Sequence, residues 1–212
     1  MRSCILHHKN GMMKRLCNRR ILGPLLAGYL LAGQIPLCAD ETPSKDADRR
    51  RVAAYAGRHT STRFLEIVQG ETRFRDSYMA AVALSRTWAR WGDFAEWDGE
   101  VQVAKHWGRQ HHGELNAAVL LRWIRFPWDH RMSTTIALGI GPSIASSTPT
   151  VERDRGKETA RRQLFMPFEI TVGPPDRRWE SLVRVHHRSG GFDTISRGTG
   201  SNFVAGGLRM AW

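Results

Sequence analysis

From residue 39 onward this 212-residue chain lacks cysteine, because Cys4, Cys17 and Cys38 all precede that point. Disulfide scaffolds, cysteine nucleophiles and thiolate metal sites are therefore excluded from the rest of the chain. The chain also lacks an uninterrupted apolar run of the ~20 residues that a transmembrane helix needs. Its composition, with 41% hydrophobic residues and 20 glycines, is not that of a collagen-like, disordered or helical membrane protein.

Acidic residues are absent before residue 40, although six of the 32 basic residues lie there. The rest of the chain has 26 basic side chains against 20 acidic ones, so its net charge is +6, whereas the whole sequence carries +12. Because much of the excess lies in the first 39 residues, the basic balance favours export and contact with an anionic membrane surface. It predicts no nucleic-acid partner.

The first 39 residues have the order of a secretory signal peptide. Four cations within 14–20 precede an apolar run at 21–31, and Pro36 and Ala39 follow. A membrane-anchoring helix is the alternative, but the run is shorter than a bilayer requires. We therefore predict a signal peptide at 1–39, a flexible, charged linker at 40–59 and one domain at 60–212.

Period-two alternation recurs throughout the predicted domain. In 94–107, Glu96 and Glu100 share one face while Val101 and Val103 share the other, which is the pattern of a strand with one polar and one apolar face. A soluble β-sandwich and a membrane β-barrel both alternate in this way, so the length of the segments has to distinguish these two folds. The predicted strands are 60–70, 77–90, 94–107, 110–126, 132–146, 161–173, 178–189 and 200–212.

These eight segments each reach the ~9 to 11 residues of a tilted transmembrane strand, whereas soluble strands average about 5 or 6. Tryptophans stand near segment ends, as in the aromatic girdles of membrane barrels. The last residues, with Gly207 before Met210 and the terminal Trp212, approximate the outer-membrane insertion signal. We predict an all-β, eight-stranded antiparallel transmembrane barrel in a Gram-negative outer membrane, inserted by the barrel-assembly machinery.

An eight-stranded barrel is too narrow for a pore, so side chains must fill its interior. Buried carboxylates need partners, and we interpret the charged inward faces as structural ion pairs. The predicted interior set is Glu96, Asp98, Glu100, Glu114, Glu169, Arg122, Arg184, Arg188 and Arg209. Segment 149–162, counted as following the fourth strand, is predicted to be a periplasmic turn; an external position, with its basic residues against lipid phosphates, is the alternative.

The seventh segment carries two polar groups on the face that should contact lipid. Its outward set ends in His187 and Ser189, and polar groups facing hydrocarbon indicate function by default. Residues i and i+2 of a strand point the same way about 6.5–7 Å apart, so His187 could activate the Ser189 hydroxyl as a general base. A polar rim above the membrane is the alternative explanation.

Three features of the sequence are His187-Arg188-Ser189, the Gly-Ser-Asn of 200–202 and the last strand with its terminal aromatic residue. In these features the sequence resembles the outer-membrane lipid A 3-O-deacylases (PagL-like, acyloxyacyl hydrolase-related). The resemblance implies an eight-stranded barrel with a serine-histidine-acid triad on its outer wall. It implies metal-independent hydrolysis of the 3-O-linked acyl chain of lipid A, with Ser189 as nucleophile and His187 as base. Lipid A, as part of lipopolysaccharide, is then the expected substrate.

The chain departs from that family's pattern at two positions. Gly190 follows the serine where the family has asparagine, and Ser201 stands where the family has the acid. Asn202 and Asp193 are the candidates for orienting His187, and stabilising the oxyanion is the alternative role of Asn202. A catalytically weak or inactive barrel with a structural or adhesion role is the alternative function, and a homodimer stays open.

A histidine-based metal site is the remaining candidate. His106, His111, His112 and His130 lie near Glu114 in sequence, but their spacing is expected to alternate between faces rather than converge. We predict no metal and no cofactor.

Overall fold

The structure, a computed structural model, describes residues 49–153, 159–191 and 200–212. Its strands are β1 (Arg50–Thr60), β2 (Phe74–Trp91), β3 (Ala95–Gly108), β4 (His112–Trp123), β5 (Ser133–Ala145), β6 (Arg162–Gly173), β7 (Trp179–Ser189) and β8 (Asn202–Ala211). The described residues also form two short helices, α1 (Phe64–Val68) and α2 (Thr150–Arg153). No helix among them is long and apolar enough to cross a bilayer.

Each strand pairs antiparallel with its sequence neighbours, and β1 pairs with β8, so the sheet closes into an eight-stranded barrel. The predicted fold class is confirmed. Connections alternate between two ends of the barrel. The end that holds residues 49 and 212 is called here the terminus end, with connections 92–94, 124–132 and 174–178; the opposite end, with connections 61–73, 109–111, 146–161 and 190–201, is called the loop end.

The alternation of each strand separates a polar interior, the lumen, from an apolar outer wall. Valine, leucine and isoleucine side chains such as Val103 and Leu138 are more than half exposed on the wall. Tryptophans form a belt on the wall near the terminus end, which is the position of an aromatic girdle. The belt contains Trp88, Trp91, Trp123, Trp179 and Trp212.

Ion pairs fill the half of the lumen nearer the terminus end, and every residue of the predicted interior set is buried. Glu169 accepts hydrogen bonds from Arg122, Arg184 and Arg209. These arginines also bind Asp98, Glu100 and Glu180, respectively. Four guanidinium groups and five carboxylates form this arginine–carboxylate network: Arg51, Arg122, Arg184, Arg209, Glu96, Asp98, Glu100, Glu169 and Glu180.

The first strand is the main error of the sequence-based prediction. β1 covers 50–60, which was assigned to the linker, and the predicted strand 60–70 contains α1 instead. Small residues such as Ala53, Ala54 and Ala56 occupy both faces of β1, so its alternation gives no hydrophobic contrast. Residues 1–48, including the predicted signal peptide, lie outside the described residues.

Segment 149–162 was also misplaced. It follows β5, not an even-numbered strand, so its described residues, 149–153 and 159–161, lie at the loop end together with the end of β7. Its described residues include α2, which contributes the buried Glu152. The prediction of a turn at the terminus end was wrong because the strands before it were miscounted.

The seam between β1 and β8 gives a matched pair of glycines for testing barrel closure. A Cβ atom on Gly207 would stand 2.1 Å from the Ala54 carbonyl oxygen, whereas one on Gly206 would have no heavy atom nearer than 3.9 Å. Gly207→Ala is expected to destabilise the folded barrel by about 1–3 kcal/mol through overpacking, and Gly206→Ala by less than about 0.5 kcal/mol. Urea unfolding midpoints measure the loss of stability of both variants. Equal midpoints would show that β1 and β8 can move apart at Gly207 without loss of stability.

Candidate active site

His187 and Ser189 lie at the loop end of β7 and point to the outer wall. Along the strand the lumen residues Arg184, His186 and Arg188 are at most 1% exposed, while His187 and Ser189 on the opposite face are half-buried. Because i and i+2 of a strand lie on one face, the structure places the two predicted residues side by side, as the sequence indicated.

Asn202, at the start of β8, is the cross-strand partner of His187. Its Oδ1 atom lies within hydrogen-bond distance of His187 Nδ1, and its Nδ2 donates to the Thr62 carbonyl oxygen at 2.8 Å. The Thr62 contact fixes which end of the amide faces the imidazole. An oxygen facing Nδ1 requires the proton on Nδ1, which places the lone pair of the ring on Nε2.

Helix α1 covers this part of the outer wall. The Phe64 ring lies 5.5 Å from the His187 ring and 6.3 Å from the Phe168 ring, centroid to centroid. The effect is visible along β7, where the outward Val183 is 56% exposed but Val185, the cross-strand partner of Phe168, is only 5% exposed. The short connection between β1 and β2 therefore shields His187 on one side.

The backbone around Ser189 is tightly constrained. The Ser189 Oγ atom accepts a hydrogen bond from the Gly191 N–H at 3.2 Å, which leaves the hydroxyl proton available to a base. Gly191 has a positive φ of 68°. A Cβ atom on Gly200 would lie 1.5 Å from the Arg188 carbonyl oxygen, so only glycine fits where the chain entering β8 approaches β7.

An apolar strip runs along β6 beside the two residues. Leu164 is the cross-strand partner of Ser189, Met166 that of His187, and Phe168 follows toward the middle of the wall. All three side chains face outward and are half-buried. A hydrocarbon chain lying on this strip would bring its polar end to Ser189.

Ser201, which stands where the family has its acid, is separated from Asn202 by the strand alternation. Ser201 faces the lumen, where its hydroxyl donates to Glu152 at 2.9 Å, so Ser201 and Asn202 point to opposite sides of the wall. Asp193 lies outside the described residues.

Glu152 is a buried carboxylate that the sequence analysis missed. It also accepts from Arg188 and Thr159. Burial raises the pKa of its carboxyl, and the positive charge of Arg188 opposes that shift. Placing 149–162 at the loop end would have indicated an acid there.

Comparison with solved structures supports the architecture. The chain resembles a crystal structure described as the outer membrane enzyme PagL, with a TM-score of 0.55 and 12% identity over 76% of this chain and 98% of that one. A crystal structure of Neisserial surface protein A (NspA) aligns with a TM-score of 0.45 and 9% identity over 78% of this chain and 96% of that one. The chain has the fold of an outer-membrane β-barrel. No known protein family and no curated protein matches the sequence.

A second polar cluster lies in the lumen near the loop end, where the sequence analysis expected no convergence. His106 and His112 are cross-strand partners on β3 and β4, and both ring Nε2 atoms approach Glu114 Oε1, at 3.1 and 3.0 Å. His186 Nε2 approaches the other carboxylate oxygen at 3.0 Å. The expectation that these histidines alternate between faces was wrong, because 106, 112 and 114 all face inward. His111 and His130 are exposed elsewhere.

Proposed function

We propose that the protein is an outer-membrane carboxylic ester hydrolase of the lipid A 3-O-deacylase type. Ser189 is the nucleophile, His187 the general base, and Asn202 the residue that orients the imidazole. The resemblance around 187–189 supports the chemistry, and the PagL likeness supports only the fold on which it would occur.

The observation that carries the proposal is the contact chain from Thr62 through Asn202 to His187. An asparagine can take the place of the orienting acid only if its oxygen, and not its amide nitrogen, faces His187 Nδ1. When the orienting group holds the wrong tautomer, a serine triad loses about 10⁴ in rate. Here the Thr62 carbonyl holds the amide in the productive orientation, so the missing carboxylate does not remove the base.

The reaction follows from these roles. The Ser189 Oγ attacks the ester carbonyl while His187 Nε2 takes the hydroxyl proton. The tetrahedral intermediate collapses by breaking the bond to the ester oxygen, which receives the proton from His187 and leaves as the 3-hydroxyl of the lipid. Water then attacks the acyl-serine with His187 again as base, and the products are a free fatty acid and regenerated Ser189.

The position of the site favours lipid A as substrate. If the termini are periplasmic, as in even-stranded outer-membrane barrels, the loop end faces the outer leaflet. The ester-bearing lipid there is lipopolysaccharide. The strip of Leu164, Met166 and Phe168 fits an acyl chain. Exposed arginines at the loop end, including Arg73 and Arg153, suit its phosphates.

Mass spectrometry of lipid A tests the proposal directly. Cells that express the protein are expected to contain lipid A lighter by one 3-hydroxyacyl chain than cells that carry the empty vector. The rival function, a noncatalytic barrel serving membrane integrity or adhesion, is favoured by the absence of charge on Asn202. It predicts identical spectra, and that result would reject the esterase.

Replacement of Asn202 tests the orienting role separately. Asn202→Leu preserves the branched shape of the side chain but removes the acceptor for Nδ1, so deacylation is expected to fall by about 10²–10⁴. Asn202→Asp retains an acceptor and is expected to exceed the leucine variant at least about tenfold. Initial rates of fatty-acid release by folded protein in micelles give both values. A leucine variant as fast as wild type would remove Asn202 from the mechanism.

A further inference from the structure

The histidine cluster, formed by His106, His112, His186 and Glu114, is more than packing in the lumen. All four side chains are at most 3% exposed, and the three Nε2 atoms converge on one carboxylate. The His106 and His112 rings stack almost parallel, with centroids 4.4 Å apart and an interplanar angle of 9°. The Nε2 atoms of both rings lie beside the same carboxylate oxygen, Glu114 Oε1, at 3.1 and 3.0 Å.

Hydrogen bonding does not fully account for this arrangement. His106 Nε2 lies close to Glu114 Oε1, yet it makes no hydrogen bond of acceptable geometry among the described residues. The Oε1 atoms of Gln102 and Gln110 also lack partners there. Three buried polar atoms without partners in one cluster are unusual, because such groups are nearly always satisfied.

The two glutamines allow His106 and His186 to carry their ring proton on Nδ1 instead of on Nε2. Gln110 Nε2 lies 3.1 Å from His106 Nδ1, and Gln102 Nε2 lies 3.3 Å from His186 Nδ1. The two ends of an amide have nearly the same shape, so a half-turn of each would let the partnerless Oε1 accept from an Nδ1–H. Both Nε2 atoms then carry lone pairs toward Glu114. Metal-binding histidines characteristically donate their other N–H to such an oxygen.

We propose that His106, His112, His186 and Glu114 bind one divalent transition-metal ion of the zinc class in the lumen. Zinc takes four nitrogen and oxygen ligands at about 2.0–2.1 Å, which keeps neighbouring ligand atoms roughly 3.4 Å apart. The nitrogen–oxygen separations are 3.0 to 3.1 Å, and the donor atoms of His106, His112 and Glu114 all lie within 4.8 Å of one another, so the donors have to shift to reach that value.

The charge distribution leaves room for the ion. Arg188 Nη1 lies 3.4 Å from Glu114 Oε1 but 2.9 Å from Glu152 Oε1, so the shorter contact of Arg188 is to Glu152. Among the described residues, the other side chains in contact with Glu114 are the three imidazoles and the Asn116 amide, and a dication would compensate the buried charge of Glu114. The site would be structural, tying β3, β4 and β7 together beneath the loop end, and it is independent of the role of Ser189.

Metal binding by the full chain folded in detergent micelles tests the proposal. A chelator first removes any bound metal, and Zn²⁺ is then added back. One equivalent of Zn²⁺ should remain bound through desalting, as measured by elemental mass spectrometry. Co²⁺ should give the visible absorption of a tetrahedral site. Zinc at about a hundredfold excess over its dissociation constant should raise the Tm by about 5 °C or more.

Matched variants locate the ion. His112→Asn should weaken zinc binding at least about tenfold, whereas His111→Asn, at the exposed neighbouring position, should retain one zinc per chain. If wild-type protein retains no zinc and its Tm does not respond, the cluster only hydrogen-bonds Glu114 and the proposal is wrong. That result does not depend on whether any variant folds, and it leaves the esterase proposal untouched.

Discussion

Ser189→Ala is expected to abolish loss of the 3-hydroxyacyl chain from lipid A, lowering the deacylation rate by at least about 10³. Removing the nucleophile of a serine triad eliminates the covalent path, and the loss reaches about 10⁶ in a well-developed active site. The expected loss is smaller here because Asn202, the proposed orienting residue, lies against His187 without carrying a charge. Lipid A mass spectra and fatty-acid release by purified protein measure the effect.

Ser181→Ala is the matched control for this substitution. Ser181 lies on the same strand and the same outward face, eight residues from Ser189 and toward the terminus end. Its replacement removes the same hydroxyl without touching His187, and wild-type activity is expected. Equal deacylation by the Ser189 variant and the control would show that another group performs the attack.

The proximity of His187 and Ser189 could be predicted because it depends only on strand alternation. Their surroundings could not, since Thr62 and Phe64 belong to the connection between β1 and β2, which contains a helix where a strand was expected. The segment 63–68 contains enough apolar residues to resemble a strand. Its helical start is stabilised by Glu66, whose carboxylate accepts from the Arg63 N–H, a local contact that period-two analysis does not detect.

The lumen shows the same division between what a pattern determines and what tertiary contacts determine. Inward placement of the acids and arginines follows from closure of the barrel, and all of the predicted set is buried. The convergence of His106 with His112 depends on the register of β3 against β4. Register across a three-residue connection is set by turn geometry, so spacing in the sequence alone suggested divergence.

Glu169 provides the largest expected effect on stability. Its two oxygens accept from Arg122 at 2.9 Å, Arg209 at 2.7 Å and Arg184 at 2.9 Å. Glu169→Gln preserves the shape, but it removes the charge and turns an amide NH₂ toward guanidinium donors. Breaking a buried ion pair costs about 3–5 kcal/mol, a large part of the roughly 5–15 kcal/mol that stabilises a typical domain.

Asp176→Asn isolates the contribution of burial, because it removes the same charge from an ion pair in solvent. Asp176 pairs with Arg178 at 3.6 Å, and their side chains are 57% and 84% exposed. Such pairs contribute about 0–1 kcal/mol. Urea midpoints, followed by tryptophan fluorescence and by the mobility of unheated barrels on gels, should fall sharply for Glu169→Gln and barely move for Asp176→Asn. Equal midpoints would mean that the other carboxylates of the arginine–carboxylate network, Asp98, Glu100 and Glu180 among them, hold the three arginines without Glu169.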